Sequence, residues 1–211
     1  MVGQGVMREC LLDPGVESIL AVGRSPIGRQ HEKLGEIVRP NVADLDSVEE
    51  RLRGYDACFF CLGVSSAGMT EADYRRVTYD LTLAVARTLA RLNPDMTFIY
   101  VSGAGTDSTG RGRIMWARVK GETENALLRL PFKAAYMFRP GIIQPLHGIK
   151  SKTRLYRIFY TGFGPLLTLT RMIWPRWVTT TEQVGRAMIR VGIRGAPNPF
   201  LENQEINDLS A

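Results

Sequence analysis

Short apolar runs alternate with segments of helical period along most of this chain, and that alternation limits the folds open to it. The apolar runs fall at 18–22, 36–39, 57–62, 97–101 and 134–138. Helical patterns occupy 3–12, 46–52, 71–92, 113–129 and 181–191. Strands that are apolar on both faces must be covered on both, so the expected architecture is a doubly wound parallel sheet with flanking helices. Turn-forming residues punctuate the pattern at Asp13-Pro14-Gly15, Asn93-Pro94 and Pro131, and Thr180 or Thr181 is placed to cap the last helix. No repeat, low-complexity tract or linker interrupts it. Residues 1–211 therefore read as one domain, with 145–178 as a basic, aromatic cap segment.

The beginning departs from this plan. A doubly wound nucleotide-binding fold opens with a buried strand, a glycine-rich turn and then a helix. Here the helical pattern starts at once, and Met1-Val2-Gly3 reads as the tail of a G-x-x-G-x-x-G turn whose third glycine is Gly3. The first strand and part of the turn are expected to be missing. That leaves unpaired backbone groups along a seam in the sheet. The natural product is expected to begin roughly a dozen residues earlier, with Met1 internal.

Composition narrows the functional classes. The chain is 45% hydrophobic and 23% charged, ordinary values for a globular protein. It has no apolar run of about 18 residues and no basic segment followed by an apolar one at the start, so neither a transmembrane helix nor a secretory signal is expected, and the cytoplasm is the expected location. Of the three cysteines, Cys58 and Cys61 form a C-x-x-C inside an apolar strand. Three apart on a strand they face opposite sides, which predicts buried thiols instead of a redox pair. His31 and His147 have no neighbours at metal-ligand spacing, so no metal site is expected.

Charge is unevenly spread. Nine of the 27 Lys/Arg and none of the 21 acidic residues lie between 125 and 181. Such asymmetry suits an anionic partner: a cofactor phosphate, an acidic substrate or a membrane surface. Within it, 150–177 interleaves Lys150, Lys152, Arg154, Arg157, Arg171 and Arg176 with aromatic residues. A cap over a substrate cleft is the favoured use, with weak membrane-surface contact or partner docking as the alternatives. No nucleic-acid partner is expected.

Several short motifs, taken in order, resemble one family. They are Val2-Gly3-Gln4-Gly5, Ala21-Val22-Gly23-Arg24-Ser25, Phe60-Cys61-Leu62-Gly63, Tyr100-Val101-Ser102-Gly103-Ala104, Val119-Lys120-Gly121, Phe138-Arg139-Pro140-Gly141 and Thr180-Thr181-Glu182-Gln183-Val184. The chain resembles the atypical short-chain dehydrogenase/reductases, in particular the small NAD(P)H-binding proteins related to the Tat-interacting protein and NmrA-like groups. The resemblance implies a Rossmann-type core that binds NAD(H) or NADP(H). It places Gly3 beside the pyrophosphate at a helix N-terminus, where free N–H groups and the helix dipole favour anions. It sets Arg24, about 20 residues beyond Gly3, at the adenosine ribose, where an arginine favours the 2′-phosphate of NADP(H) over NAD(H). Ser25 would add a hydroxyl. Asp44 would meet the adenine amine or cap the following helix. Leu62 and Gly63 would close a turn against the cofactor.

The catalytic signature implied by the same resemblance is Ser with Tyr-x-x-x-Lys. Ser102 and Lys120 take two of its positions, but the residue four before Lys120 is Trp116. An indole N–H only donates and does not ionise usefully near neutral pH, so Trp116 cannot carry the phenol's proton. Trp116 reads as a packing residue or a stacking surface. Asp107, Ser108 and Thr109 are further polar groups after the strand, and Arg139-Pro140-Gly141 is a candidate pocket rim. Three functions stay open: an NADP(H)-preferring oxidoreductase or epimerase-like enzyme with an unknown small-molecule substrate, a non-catalytic NAD(P)H-binding sensor, and a membrane or partner-docking module.

Overall fold

β4 (Thr97–Val101) is the axis of the molecule; its first four residues are all buried. Its side chains alternate between two cores, as the pleat requires. Phe98 and Tyr100 enter one with Phe60, Leu83, Leu89 and Met137. Ile99 enters the other with Val6, Phe138, Val184, Met188 and Leu201. Phe98 stacks between Phe60 and Phe132, with ring centroids 5.9 and 4.9 Å away. The computed structural model describes residues 1–149 and 177–211, so most of the basic cap segment lies outside the described residues.

The described strands are β1 (Ile19–Gly23), β2 (Leu34–Val38), β3 (Ala57–Phe60), β4, β5 (Ala134–Arg139), β6 (Ile142–Gln144), β7 (Val178–Thr180) and β8 (Phe200–Glu202). All the pairings are parallel. They form three ladders, β1–β2, β3–β4–β5–β8 and β6–β7. The parallel α/β class read from the alternation is therefore the observed one.

β1 and β3 belong to separate ladders, and β1 has no fully buried residue. A strand paired on both sides and covered on both faces would be buried throughout.

The helices are α1 (Val2–Leu12), α2 (Glu71–Arg75), α3 (Leu81–Leu92), α4 (Met115–Leu127), α5 (Thr181–Arg194) and α6 (Asn203–Leu209). The single helix expected over 71–92 contains a π-turn, Arg76–Asp80, between α2 and α3. Thr70 caps α2 by accepting from the Asp73 N–H at 3.2 Å, and Thr180 caps α5 by accepting from the Gln183 N–H at 3.0 Å. Asn93 ends α3 and ties it to the approach to β3: its Nδ2 donates to the Leu52 carbonyl and its Oδ1 accepts from the Gly54 N–H.

α1 crosses α5 at very close range. A Cβ at Gly5 would come within 2.7 Å of the Thr181 backbone oxygen, and one at Gly185 within 2.6 Å of Glu9 Cγ. These two glycines fix how deeply α1 sits, and hence where its N-terminus emerges.

The C-x-x-C behaves as the strand pattern predicts. Cys58 packs against the first core and Cys61 against the second. Both are free, and burial pushes both thiols up to about 12.

Candidate functional site

The N-terminus of α1 opens onto the C-terminal ends of β3, β4 and β5. There a cleft of about 550 Å³ is walled by Met1 and Val2, by Cys61 to Ser65, by Val101 to Ala104, and by Pro140 and Gly141. Ligands of open α/β sheets collect at this end of the strands. Among the described residues no side chain caps α1, and its first turn carries no acidic residue. The leading N–H groups of a helix have no intrahelical acceptor, so this end favours an anion.

Gly3 stands one turn-step inside, against the residue that follows β3: a Cβ there would lie 3.3 Å from Cys61 Cβ. Side chains added at Gly63 and Gly103, by contrast, would touch no atom of the described residues within 4 Å. The backbone at both is thus open to a ligand. An uncapped helix end, two bare glycine walls and a lysine form a donor set that fits a nucleotide pyrophosphate.

Lys120 reaches the cleft from α4. Its ammonium donates to the Ser102 backbone carbonyl. Burial holds it down to about 8, partly opposed by the negative charge of Glu124 one turn further on. Among the described residues no carboxylate lies within ion-pairing distance of it.

The Ser102 hydroxyl is turned elsewhere. It donates to Glu124 Oε1 at 2.5 Å, with the Phe138 carbonyl 3.2 Å away. Glu124 is fully buried and is held by Arg139: Nε lies 3.0 Å from Oε1 and Nη2 lies 2.5 Å from Oε2. Ser108 joins the same carboxylate at 3.3 Å and accepts from Arg139. Arg139 also reaches Glu202 and lies over the Phe200 ring, and the bond to Glu124 raises its own pKa further. A buried ion pair of this kind is tolerated only when its lone pairs and protons are otherwise satisfied, as they are here.

The candidate residues therefore separate. Gly3's helix end, Leu62, Gly63, Ser102 and Lys120 come together at the cleft. Arg24, Ser25 and Asp44 do not line it; all three are exposed in the loops that follow β1 and β2. Pro140 and Gly141 form part of the rim, while Arg139 turns inward. Trp116 stays outside the cleft lining, with its ring 3.7 Å from where a Cβ on Gly105 would be. Asp107 holds its own loop, accepting from the Thr109 hydroxyl, which pulls its carboxyl down, and from the Gly112 N–H. The Glu124–Arg139 pair is the part of the site that sequence reading missed. Its one signal is the Lys120/Glu124 spacing of four on a helix.

A second polar cluster joins Glu9, His147 and Glu182, whose ligand atoms lie within 4.8 Å of one another. His147 contacts Glu182 at 2.7 Å, which lowers the Glu182 pKa. Arg8 and Arg186 already pair with these carboxylates, so the cluster reads as a salt-bridge network joining α1 to α5.

Fold and cleft together define the class: a parallel α/β protein with a helix N-terminus facing the ends of its strands. No family model matches the chain. Its sequence relatives include the mitochondrial protein fmp52 of Emericella nidulans, 24% identical over 202 residues, or 92% of this chain and 84% of that protein. They also include the protein HTATIP2 of Rattus norvegicus, 26% identical over 144 residues, or 67% of this chain and 58% of that protein. The chain is thus similar in sequence to the HTATIP2 and Fmp52 proteins, at 24–26% identity. It spans little more than half the length of HTATIP2.

Solved structures share the fold. WbmF of Bordetella bronchiseptica, in complex with NAD+, has a TM-score of 0.64 at 14% identity, covering 99% of this chain and 73% of that one. A short-chain dehydrogenase/reductase of Saccharomyces cerevisiae has a TM-score of 0.66 at 12% identity, covering 99% and 94%. Among the described residues no helix is long and apolar enough to cross a membrane.

Proposed function

We propose that the chain binds a nicotinamide dinucleotide in this cleft, with NADP(H) preferred, and acts on a small-molecule substrate as an oxidoreductase or epimerase-like enzyme. The carrying observation is the uncapped N-terminus of α1 facing Gly63, Gly103 and Lys120 across one cleft. The NAD+ bound by WbmF supports the choice of ligand. When bound, the nicotinamide supplies hydride chemistry. The chain's own residues do the rest. The α1 N–H groups hold the pyrophosphate, Lys120 holds a ribose or substrate oxygen, and Arg24 and Ser25 meet the adenosine end, with Asp44 beside the adenine. Ser102 we assign to holding Glu124 and presenting its carbonyl to Lys120.

A second reading is a nucleotide-binding sensor without turnover. It is favoured by Trp116, which packs against the loop at Gly105 and carries no transferable proton. Titration with NADPH and NADH, followed by nicotinamide fluorescence, tests both readings. Binding with turnover on small aldehydes or ketones supports the enzyme, and binding without turnover supports the sensor. Failure to bind either nucleotide defeats both. Surface contact through 150–177 would show as charge-dependent flotation with anionic liposomes. The sequence points to the cytoplasm, and the mitochondrial designation of the Fmp52 relatives makes that organelle the alternative, which cell fractionation decides.

A further inference from the structure

We propose that Lys120 is itself the proton-carrying group of the cleft, giving the ammonium proton to the oxygen of a bound aldehyde or ketone. The inference rests on the nucleotide-binding reading above and goes beyond it by assigning the acid.

The geometry leaves few rivals. Among the described cleft-lining residues only Cys61 and Lys120 have side chains that ionise in water. The Cys61 thiol, partly buried against the second core, is pushed up to about 12, beyond use near neutral pH. The Ser102 hydroxyl is committed to Glu124, and Trp116, one turn before Lys120, stands against Gly105 outside the lining.

Lys120 is placed for the work. One of its N–H groups is anchored on the Ser102 carbonyl, at the strand end where a substrate oxygen would lie, and two remain. The charged groups around it are accounted for. Glu124 faces it from α4, but its oxygens are taken by Ser102, Ser108 and Arg139. Arg139 is locked to Glu124 from β5. Asp107, in the loop beyond β4, is bound to Thr109 and Gly112. The Met1 amino group lies on the Cys61 side, from α1. Burial without a carboxylate partner brings the amine to about 8, close to the pH at which acid and base forms are both populated.

The step balances. The carbonyl carbon accepts a hydride supplied by a reduced nicotinamide, and the C=O π pair moves to oxygen. That oxygen takes the Lys120 proton as the N–H bond breaks. The products are an alcohol, an oxidised nicotinamide and a neutral amine, which regains its proton from solvent.

The test is competitive acetylation with trace acetic anhydride from about pH 6 to pH 11, read by peptide mass spectrometry, which separates Lys120 from the Met1 amine. Lys120 is expected to titrate near 8, against about 10.4 for an ordinary lysine, and to be protected by NADPH. Alongside it, carbonyl reduction by the unsubstituted protein is expected to fall as pH rises through about 8. Lys120→Arg keeps the charge without a titrating proton and is expected to lose on the order of a hundredfold or more in kcat. A Lys120 midpoint above about 10 overturns the proposal, as does a pH profile unchanged in Lys120→Arg. So does nucleotide binding without reduction of any carbonyl at any pH tried. Absence of nucleotide fluorescence change is a different failure, which removes the binding reading and this assignment with it. Labelling uses the unsubstituted protein, so a variant that does not fold leaves the titration decisive.

Discussion

Ser102 donates its hydroxyl proton to Glu124, 2.5 Å away, while its own carbonyl receives the Lys120 ammonium. One residue thus joins a neutralised buried ion pair to the lysine of the cleft. The consequence is a division of labour: the Glu124–Arg139 pair fixes the ends of α4 and β5, and Lys120 stays free of a carboxylate.

Removing half of that pair is expected to be costly. Glu124→Ala leaves Arg139, whose side chain is only 13% exposed, without its main partner. Urea denaturation should show a loss of about 3–5 kcal/mol, the usual cost of an unpaired buried charge. Ser102→Ala removes one hydrogen bond to a charged group and should cost about 1.5–3 kcal/mol.

Gly5→Ala should destabilise the α1–α5 crossing by about 1–3 kcal/mol, because the new methyl would sit 2.7 Å from the Thr181 backbone oxygen. Thermal unfolding of the variant reads this. Thr180→Ala, at the cap of the same helix, should cost about 1 kcal/mol and leave the cleft unchanged.

Lys120 also predicts a pH dependence of stability. Its folded-state pKa of about 8 lies below the unfolded value of about 10.4. Between those values the unfolded chain binds the extra proton, so stability rises with pH across that window. Below about 8 both states are protonated and the burial penalty is present in full; above about 10.4 it is gone. The stability difference between the unsubstituted protein and Lys120→Met should therefore shift in favour of the unsubstituted protein as pH rises from 8 to 10.4.

Arg24→Ala should weaken NADPH by roughly tenfold or more and leave NADH nearly unchanged, as expected when one charge-assisted contact to a 2′-phosphate is lost. Equal weakening of both nucleotides would place Arg24 away from the 2′ position.

Much of the sheet was legible because its signals are local. The strand at 97–101 is buried and rich in β-formers, and the structure reproduces it as Thr97–Val101. The short helix at Asp46–Leu52, which is of the 3-10 type, and the Thr180 cap were equally visible. The short strands Ile142–Gln144, Val178–Thr180 and Phe200–Glu202 were missed. Three residues are too few to show a period, and their pairing is fixed by partners distant in the chain. The π-turn at Arg76–Asp80 inserts its irregularity without a proline or glycine to announce it. At the site, the motifs pointed to Gly3, Gly63 and Lys120. They could not show that the Ser102 hydroxyl turns toward Glu124, since that depends on Arg139 arriving from another strand.

In the proposed complex a nicotinamide dinucleotide lies across the start of α1 and the ends of β3 and β4. Amide NMR of the nitrogen-15-labelled protein during NADPH titration tests it most directly. Saturable shifts concentrated at Gly3, Gln4, Gly63 and Gly103 are expected. Shifts confined to the α1–α5 surface around Arg186 and Arg190, or none at saturating nucleotide, would contradict it.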